Sequence, residues 1–577
     1  MALLVFAFLF TVVGISSSHA LNVQAGNIAD DSRPFITVWQ TDNEGTSEDN
    51  QITIPGEGTG YLIAWEEVGN TDNSGSETGT DEHTVTFPSP GTYRVSISGN
   101  FTRFNFNMYG FSGGGDGKKI LDIAQWGDVA WESTAGAFSH ASNLEMSAVD
   151  VPDLSQVIFT SGMFRNASSF DGDLSGWDVS NVTAMGGMFA GATSFNGDIS
   201  TWDVSNVTNM NGMFQFATSF SGNLSGWNVS NVMYMRDMFR FASSFNGDLS
   251  GWDVGSVTSM SGMFWGAISF NGDLSGWDLG SVIETSNMFR GAAFNGDISS
   301  WDVSSVEYMI AMFQGATAFN GDLSGWDVSN VEAFSHMFRD ATSFNGNISG
   351  WDVSSANQMV GMFHNATSFN GNVSSWDVSG VQYMNFMFMG AKSFNQSLGD
   401  WNVGNVREMD GRGTRGILDS TALSIRNYDR TLIGWSEQDL RSGIELGAHG
   451  LLYCAEDARQ ALIDNFNWTI LGDSLSTVCV TSTEPGTQLP ADFELQQNYP
   501  NPFNPDTHIR FALPEHVHVT LAVYNLVGQR VATIVDEARS PGWHDVTFDA
   551  AGLASGLYIY RLEAGSHAES RQMLLIK

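Results

Sequence analysis

The sequence predicts a multidomain protein with an N-terminal β-sandwich, an α/β solenoid of about ten 25-residue units, and a C-terminal antiparallel β-sandwich. Two observations lead to this fold class. The frame "SFNGDLSGWDV" at residues 244–254 returns with few changes through the middle of the chain. Short β-rich runs separated by turn residues occupy residues 34–100 and 493–577. Because 577 residues exceed what one hydrophobic core holds, separate domains are expected.

The repeat is defined by ten tryptophans, which are spaced 25 residues apart except for one interval of 24. Met-Phe pairs keep the same interval, from Met163-Phe164 to Met387-Phe388. Their constant place in an apolar pattern predicts that both columns form a buried core and not a sugar-stacking platform. The predicted core tryptophans are Trp177, Trp202, Trp227, Trp252, Trp277, Trp301, Trp326, Trp351, Trp376 and Trp401.

Within one unit the apolar spacing predicts a short helix, because one face of a helix would carry Val207, Met210, Met213, Phe214 and Ala217. Ser205 or Asn206 stands where an N-cap is expected. The preceding "DISTWDV" at 198–204 predicts a short strand, and Asn-Gly pairs predict the turns between units. A unit of this size cannot bury its apolar side alone, so neighbouring units are expected to stack.

The frame "FNGDLSGWDVSNVxxMxxMFxxA" over residues 160–409 resembles the 25-residue repeat of BspA-like leucine-rich-repeat surface proteins, which also occurs in mycoplasma lipoproteins. The resemblance implies a leucine-rich-repeat-like solenoid on a cell surface, with adhesion or partner binding as its role. It supplies neither a ligand nor a catalytic residue.

Stacking would turn each repeated polar residue into a column, and an aspartate follows the tryptophan in most units. Such carboxylates repel one another unless cations or hydrogen-bond donors lie between them. One interpretation is calcium bound between units, and the other is a scaffold in which the carboxylates accept from backbone amides. Asparagine replaces aspartate at Asn228 and Asn402, which favours the scaffold, so no cofactor is predicted.

A binding face is expected where packing does not dictate the residue type. The position before the first Met of the predicted helix varies freely from unit to unit. The candidate binding-face residues at this position are Tyr234, Tyr308 and Tyr383.

The N-terminal flank begins with an apolar run followed by "SHA", which predicts a signal peptide at residues 1–20 and export. No other stretch is apolar enough to predict a transmembrane helix. In residues 21–103, "HTVTFPSPGTYRVSISG" resembles the closing hairpin of PKD-like β-sandwiches. Residues 104–160 are predicted to be an N-terminal cap or degenerate repeat of the solenoid at 161–409.

The Met-Phe frame ends near residue 409, and residues 410–480 are predicted to be a C-terminal cap. Two segments in it, "YDRTLIGW" and "AEDARQALIDNF", have helical patterns. The cap also holds both cysteines, Cys454 and Cys479, which are expected to form a disulfide outside the cytosol, with two buried thiols as the alternative. A Thr/Pro/Gly-rich linker at 481–492 follows.

The last segment, residues 493–577, alternates apolar and polar residues and predicts a small antiparallel β-sandwich. Its motifs "NYPNPFNP", "VYNLVGQRV", "LASGLYIYRL" and "LLIK" resemble the type A sorting domain of type IX secretion. The resemblance implies passage across a Bacteroidota-type outer membrane with the help of the secretion machinery. The protein is then expected to be secreted or attached to the outer surface.

The charge balance of 24 basic against 63 acidic residues disfavours nucleic acid and anionic membranes as partners. Paired carboxylates occur only in repeated columns, whereas a catalytic pair should be singular. We therefore expect an exported, non-enzymatic, adhesin-like protein that binds an extracellular protein or glycan. A carbohydrate-active enzyme and a passive surface stalk are the alternatives.

Overall fold

The computed structural model forms two compact units, residues 1–476 and 477–577. The predicted signal peptide and the predicted linker at 481–492 lie outside the described residues. Within the described part of the chain, no helix is long and apolar enough to cross a membrane. The structure describes residues 33–106, 115–410, 416–477, 479, 493–514, 516–540, 542–565 and 567–576.

The first unit begins with one seven-stranded sheet. Its strands are β1 (Phe35–Gln40), β2 (Gln51–Glu67), β3 (Asn70–Thr86), β4 (Thr92–Ser98), β5 (Phe101–Phe104), β6 (Ile120–Gln125) and β7 (Glu145–Met146). The order is β3-β2-β4-β1-β6-β7, and β5 pairs with the first half of β2. The second half of β2 pairs with β4, so this long strand has different neighbours on either side of its glycine-rich middle.

This arrangement corrects the prediction of a PKD-like sandwich at 21–103. The segments expected to form its closing hairpin, β3 and β4, do not pair, because β2 lies between them. The sheet also recruits β6 and β7 from the region predicted to be a cap. Tyr93, Val95 and Ile97 alternate in β4 and are buried, but alternation carries no information about which strand lies alongside.

The prediction of an α/β leucine-rich-repeat-like solenoid is wrong. The described residues of the repeats, 159–409, contain neither an α-helix nor an extended strand, and each unit contributes a chain of turns and a single parallel β-bridge. The bridges connect equivalent residues of successive units, as in Asn209 to Tyr234. We call this region, residues 159–409, the repeat stack.

The predicted helix of the repeat is replaced by two linked turns. Gly212 and Phe216 have φ angles of 62° and 59°, which a right-handed helix cannot contain. Alternate amides donate to the next unit, as from Gly212 N to Arg236 O at 2.7 Å and from Phe214 N to Met238 O at 2.9 Å. An α-helix would use those amides internally, so stacking and helix formation compete for the same donors.

The predicted strand and N-caps at 198–206 are also absent. Residues 198–204 are irregular, and the side chain of Asp203 accepts from the amide of Ser205 at 3.0 Å. Asn206 donates from its side-chain amide to Ser180 O in the preceding unit, at 2.7 Å. These polar residues therefore connect loops and do not begin helices.

The ten repeat tryptophans are buried, with at most 5% of any of them exposed. Successive indole rings stack with centroids 6.2–6.5 Å apart. Most indole N–H groups donate to a carbonyl of the preceding unit, as from Trp252 to Leu224 O at 3.0 Å. One continuous hydrophobic core runs from Phe35 to Ile470.

The first unit ends in two further layers, residues 416–476, which we call the cap layers. They contain α1 (Ile425–Ser436), β8 (Glu445–Gly447), β9 (Leu452–Tyr453), α2 (Glu456–Phe466), β10 (Thr469–Leu471) and β11 (Ser474–Leu475). The two predicted helical segments are confirmed. β8 pairs with β10 and β9 with β11, both in parallel. Both cysteines of the chain, Cys454 and Cys479, are disulfide-bonded.

The second unit consists of two antiparallel sheets that share one core. Its strands are β12 (Glu494–Leu495), β13 (Asp506–Leu513), β14 (Val517–Tyr524), β15 (Arg530–Arg539), β16 (Gly542–Asp549), β17 (Gly556–Ala564) and β18 (His567–Leu575). One sheet has the order β12-β13-β16 and the other β15-β14-β17-β18. Strands β14 and β15 form a hairpin whose turn is "NLVG", Asn525–Gly528.

Candidate functional site

The outer surface of the repeat stack carries a column whose residues differ between units. It is formed by the residue after each Met-Phe pair: Arg165, Ala190, Gln215, Arg240, Trp265, Arg290, Gln314, Arg339, His364 and Met389. Four of these ten are arginines, in a chain with only 24 basic residues and a net charge of −39. The buried columns beside it keep one residue type, so packing does not explain the arginines.

The next residue in every unit has a left-handed backbone. Its φ angles lie between 55° and 75°, and glycine, asparagine, aspartate and phenylalanine all occur there: Asn166, Gly191, Phe216, Phe241, Gly266, Gly291, Gly315, Asp340, Asn365 and Gly390. Left-handed backbone suits glycine best, so the two phenylalanines are costly for the chain to keep. Their presence on the surface points to a role for their rings.

A trough of about 630 Å³ opens where this column changes from phenylalanine to glycine. We call it the arginine trough. The one unit that is a residue shorter, at Ala293-Phe294, lies beside it. The lining residues are Phe216, Thr218, Phe241, Ser243, Trp265, Gly266, Ile268, Arg290, Gly291, Gln314, Gly315 and Asp340.

An aromatic ladder forms one wall of the trough. The rings of Phe216 and Phe241 stack with centroids 5.0 Å apart, and Phe241 lies 5.8 Å from Trp265. The guanidinium carbon of Arg240, from the preceding unit, is 3.8 Å from the centroid of Trp265. That of Arg290, from the following unit, is 4.5 Å away. Trp265 is therefore in cation–π contact with guanidiniums from both neighbouring units.

The arginines of the trough differ in how their charges are neutralised. Arg240 lies 3.5 Å from a carboxylate oxygen of Asp237, and Arg339 lies 3.4 Å from one of Asp340. Arg290 donates instead to the neutral side chain of Asn287 at 3.2 Å, and no ion pair to it is found among the residues that the structure describes. Burial, followed by the charges of Arg339 and Arg240, lowers the pKa of Arg290.

The floor of the trough consists of glycines. A Cβ atom added to Gly291 would meet no atom within 4 Å, and one added to Gly315 would touch only the backbone of Gly291. Asp340 closes the far end, where it accepts from the side chain of Asn365 at 2.8 Å. The trough is thus open above a bare backbone, with aromatic rings at one end and a neutralised carboxylate at the other.

The structure places the candidate binding-face tyrosines in the column of β-bridges. Tyr234 and Tyr308 are 43% and 37% exposed, and Tyr383 is half-buried. Three bridge steps separate each tyrosine from the next, or about 14 Å. The structure therefore does not bring these tyrosines into one contiguous site. The carboxylate of Glu332 is the main cause that raises the pKa of Tyr308.

The acidic columns are held by hydrogen bonds within their own loops. Asp178 accepts from the amide and hydroxyl of Ser180 at 3.1 and 2.6 Å, and these bonds lower its pKa. Asn228 accepts from the amide of Ser230 in the same way, at 3.2 Å, which explains why asparagine replaces aspartate. In the ranges that the structure describes, no group of three His, Cys, Asp or Glu residues is placed to hold a metal ion.

Reasoning from the sequence alone missed the arginine trough, although the signal was present. Arginine recurs after Met-Phe in four units of a strongly acidic chain. The phenylalanine-to-glycine change and the shortened unit fall in the same part of the repeat. A departure from a repeat that packing does not require was the feature to follow.

The class of protein is defined by comparison with known families. Residues 132–413 match, in the segments 132–252, 206–293, 274–360 and 322–413, the family described as "Mycoplasma protein of unknown function, DUF285". The repeats are thus of the mycoplasma type to which BspA-like proteins belong.

The second match concerns the C-terminal unit. Residues 497–577 match the secretion system C-terminal sorting domain. The chain is therefore a type IX cargo that interacts with the secretion machinery, and it is secreted or attached to the cell surface. No curated protein matches the chain.

Proposed function

We propose that the protein is a non-enzymatic, adhesin-like binding protein of a Bacteroidota-type bacterium, and that the repeat stack binds an extracellular ligand through the arginine trough. The observation that most supports this is Arg290. It carries a positive charge at an open trough, against the partly buried ring of Trp265, without an ion-paired carboxylate in the described residues. An unpaired positive charge on the surface of a protein with a net charge of −39 is explained if it binds a negatively charged group of a ligand.

The non-enzymatic part of the proposal is supported by the state of the carboxylates. Many carboxylates of the repeat columns accept hydrogen bonds from the serine two residues later, as Asp203 does from Ser205, and in Asp203 these bonds lower the pKa. A general acid needs a pKa raised towards neutrality. A passive stalk, in turn, would give no reason for outward-facing arginines and phenylalanines at one part of the stack.

The experiment compares two arginine substitutions in the full exported chain on an array of glycans and extracellular proteins. Arg290→Gln removes the charge from the trough, whereas Arg236→Gln removes the same charge two units earlier in the stack. Arg236 is exposed and lies 3.8 Å from Glu284, outside the trough. We expect a ligand whose affinity falls at least about tenfold with Arg290→Gln and stays within about twofold with Arg236→Gln.

A triple Tyr234, Tyr308 and Tyr383 to Phe variant tests the competing face. Loss of binding in this variant with retention in Arg290→Gln would transfer the site to the bridge column. Absence of any ligand, or turnover of a polysaccharide on the array, would contradict the proposal in favour of a stalk or an enzyme.

A further inference from the structure

We propose that the arginine trough binds an acidic polysaccharide, a linear chain of sugars that carries carboxylate or sulfate groups. This inference rests on the proposed function and names its ligand class. Three features carry it: the elongated shape of the trough, the unpaired charge of Arg290 with Arg240 beside it, and the uncovered face of Phe216.

The shape fits an extended polymer. The trough runs along the stack from the unit of Phe216 to that of Asp340, which is five steps of the repeat. At a spacing of about 5 Å for each step, it is about 25 Å long. At Gly291 and Gly315 the floor has no side chains, and a Cβ added there would meet at most the backbone of Gly291. A flat, linear chain meets such a floor along its whole length.

The cations fit a ligand with repeated charges. Arg290 lines the trough, and Arg240 stacks on Trp265 from the unit on its other side, so two guanidiniums follow one another along the stack axis. The planar guanidinium fork pairs well with carboxylate or sulfate oxygens. Arg290 donates to the neutral Asn287 and has no ion pair among the described residues, whereas Arg240 is paired with Asp237. The line from the guanidinium of Arg240 to that of Arg290 therefore runs along the long axis of the trough.

The aromatic end favours a sugar over an acidic peptide. One face of Phe216 stacks on Phe241, and the equivalent position of the preceding unit is Gly191, which has no side chain to cover the other face. Phe216 is accordingly 44% exposed. The electron-rich face of an aromatic ring attracts weakly positive C–H groups, which the face of a sugar ring presents. Thr218 and Ser243 add hydroxyl groups to the same wall.

The test uses a pair of variants that differ by one charge and little in shape. Asp340 and Asn365 occupy the left-handed position with φ angles of 58° and 57°, so the repeat accepts both residue types there. Gly291→Asp and Gly291→Asn therefore place matched side chains on the trough floor. The full chain is titrated with polygalacturonate, with heparin, with neutral dextran and with polyglutamate, at low and at high salt.

We expect salt-sensitive binding of polygalacturonate or heparin, and the stronger of the two identifies a carboxylated or a sulfated ligand. Gly291→Asp should weaken it at least about tenfold and Gly291→Asn by less than about threefold. Phe216→Ala should weaken it without changing its salt dependence. Dextran should not bind. Melting temperatures of all variants verify that they fold. If Gly291→Asp does not fold, the binding affinity of Gly291→Asn still reports on the trough.

Several results would overturn the inference. These are no binding of either acidic polysaccharide, equal affinity for polyglutamate, or equal losses in the two Gly291 variants. Binding of a protein ligand that is abolished by Arg290→Gln would overturn the inference while leaving the proposed function intact. If no ligand of any kind bound the protein, both the inference and the proposed function would be overturned.

Discussion

The repeat stack and the cap layers enclose the same core with different backbones. In the repeat stack, units consist of turns that donate alternate amides to the next unit. In the cap layers, each layer has a short parallel strand and a helix. The indole of Trp435 in α1 nevertheless donates to Leu398 O at 2.8 Å, as Trp401 does to Val373 O. The same indole-to-carbonyl bond is thus made by tryptophans on turns in the repeat stack and by a tryptophan on a helix in the cap layers.

The difference shows that local competition for backbone amides decides between turn and helix, and not the spacing of apolar residues. The repeats place Asn, Asp, Ser and Gly around each tryptophan, and the aspartate side chains bond to the amide two residues later. Such side chains offer the backbone an alternative to the helix. The sequence of α2, "EDARQALIDNF", is rich in residues that favour helices.

The largest effect is expected from Trp252→Ala in the middle of the repeat stack. The substitution removes a ring that stacks on both neighbours and the indole hydrogen bond to Leu224 O. We expect the free energy of unfolding to fall by about 3–5 kcal/mol, measured by urea denaturation of the full chain. Ile283→Ala, at a side chain that is 45% exposed, is the control. A loss below about 1 kcal/mol would show that the units do not depend on one another.

The repeat stack should prefer glycine to alanine at its left-handed positions, whereas the helices of the cap layers should prefer alanine to glycine. Gly212 has a φ of 62° and no close neighbours, so Gly212→Ala should destabilise the stack by about 1–2 kcal/mol through the backbone alone. In α2, Ala461→Gly should destabilise by about 0.5–1 kcal/mol, because glycine weakens a helix interior. Thermal unfolding of both variants measures this. Stabilisation by Gly212→Ala would mean that the repeat is helical in solution.

The period of the stack could be predicted from the ten tryptophans, because a 25-residue unit cannot bury its apolar side chains alone. The two helices of the cap layers were also accessible, since α1 and α2 combine apolar periodicity with suitable residue types. The turns of the repeats could not be predicted from the sequence. The spacing of Val207, Met210, Met213 and Phe214 fits a helix and linked turns equally well.

The candidate site was less predictable than the fold. Its charges and rings come from different units, and only the stacked backbone brings Arg240, Trp265 and Arg290 together. The tyrosines were chosen because their position varies, but variability did not distinguish the bridge column from the column after Met-Phe. The strand pairing predicted for the N-terminal sheet was wrong for a related reason, because contacts between distant segments leave no local pattern in the sequence.

The junction between the repeat stack and the cap layers should respond to pH in the opposite direction to the acidic columns of the stack. Burial, and then the charges of Asp419 and Glu445, raise the pKa of Asp410 to about 7, at the end of the repeat stack. A carboxyl group with a raised pKa holds its proton longer in the folded state, so its contribution to stability falls as pH rises from about 4 to about 7. Column aspartates such as Asp178 and Asp203 have lowered pKa values, so their contribution is full above about pH 4 and is lost on acidification.

Melting temperatures of the wild type and of Asp410→Asn, followed from pH 5 to pH 8, separate these effects. The asparagine keeps an acceptor for the amide of Ile417, which donates to Asp410 at 2.9 Å. The variant should gain stability over the wild type as pH rises, and the difference should shrink towards pH 5. Parallel curves would show that Asp410 is ionised in the folded protein across this range.

The smallest effect is expected for the column aspartates themselves, and it decides between scaffold and calcium. If Asp203 serves only to accept from the amide of Ser205, Asp203→Asn should change the free energy of unfolding by less than about 0.5 kcal/mol. Asp203→Ala, which loses the acceptor, should destabilise by about 0.5–1.5 kcal/mol. A chelator should leave the melting temperature unchanged. A cation between units would reverse this order, because it needs the carboxylate charge: chelator would lower the melting temperature, and asparagine would be as harmful as alanine.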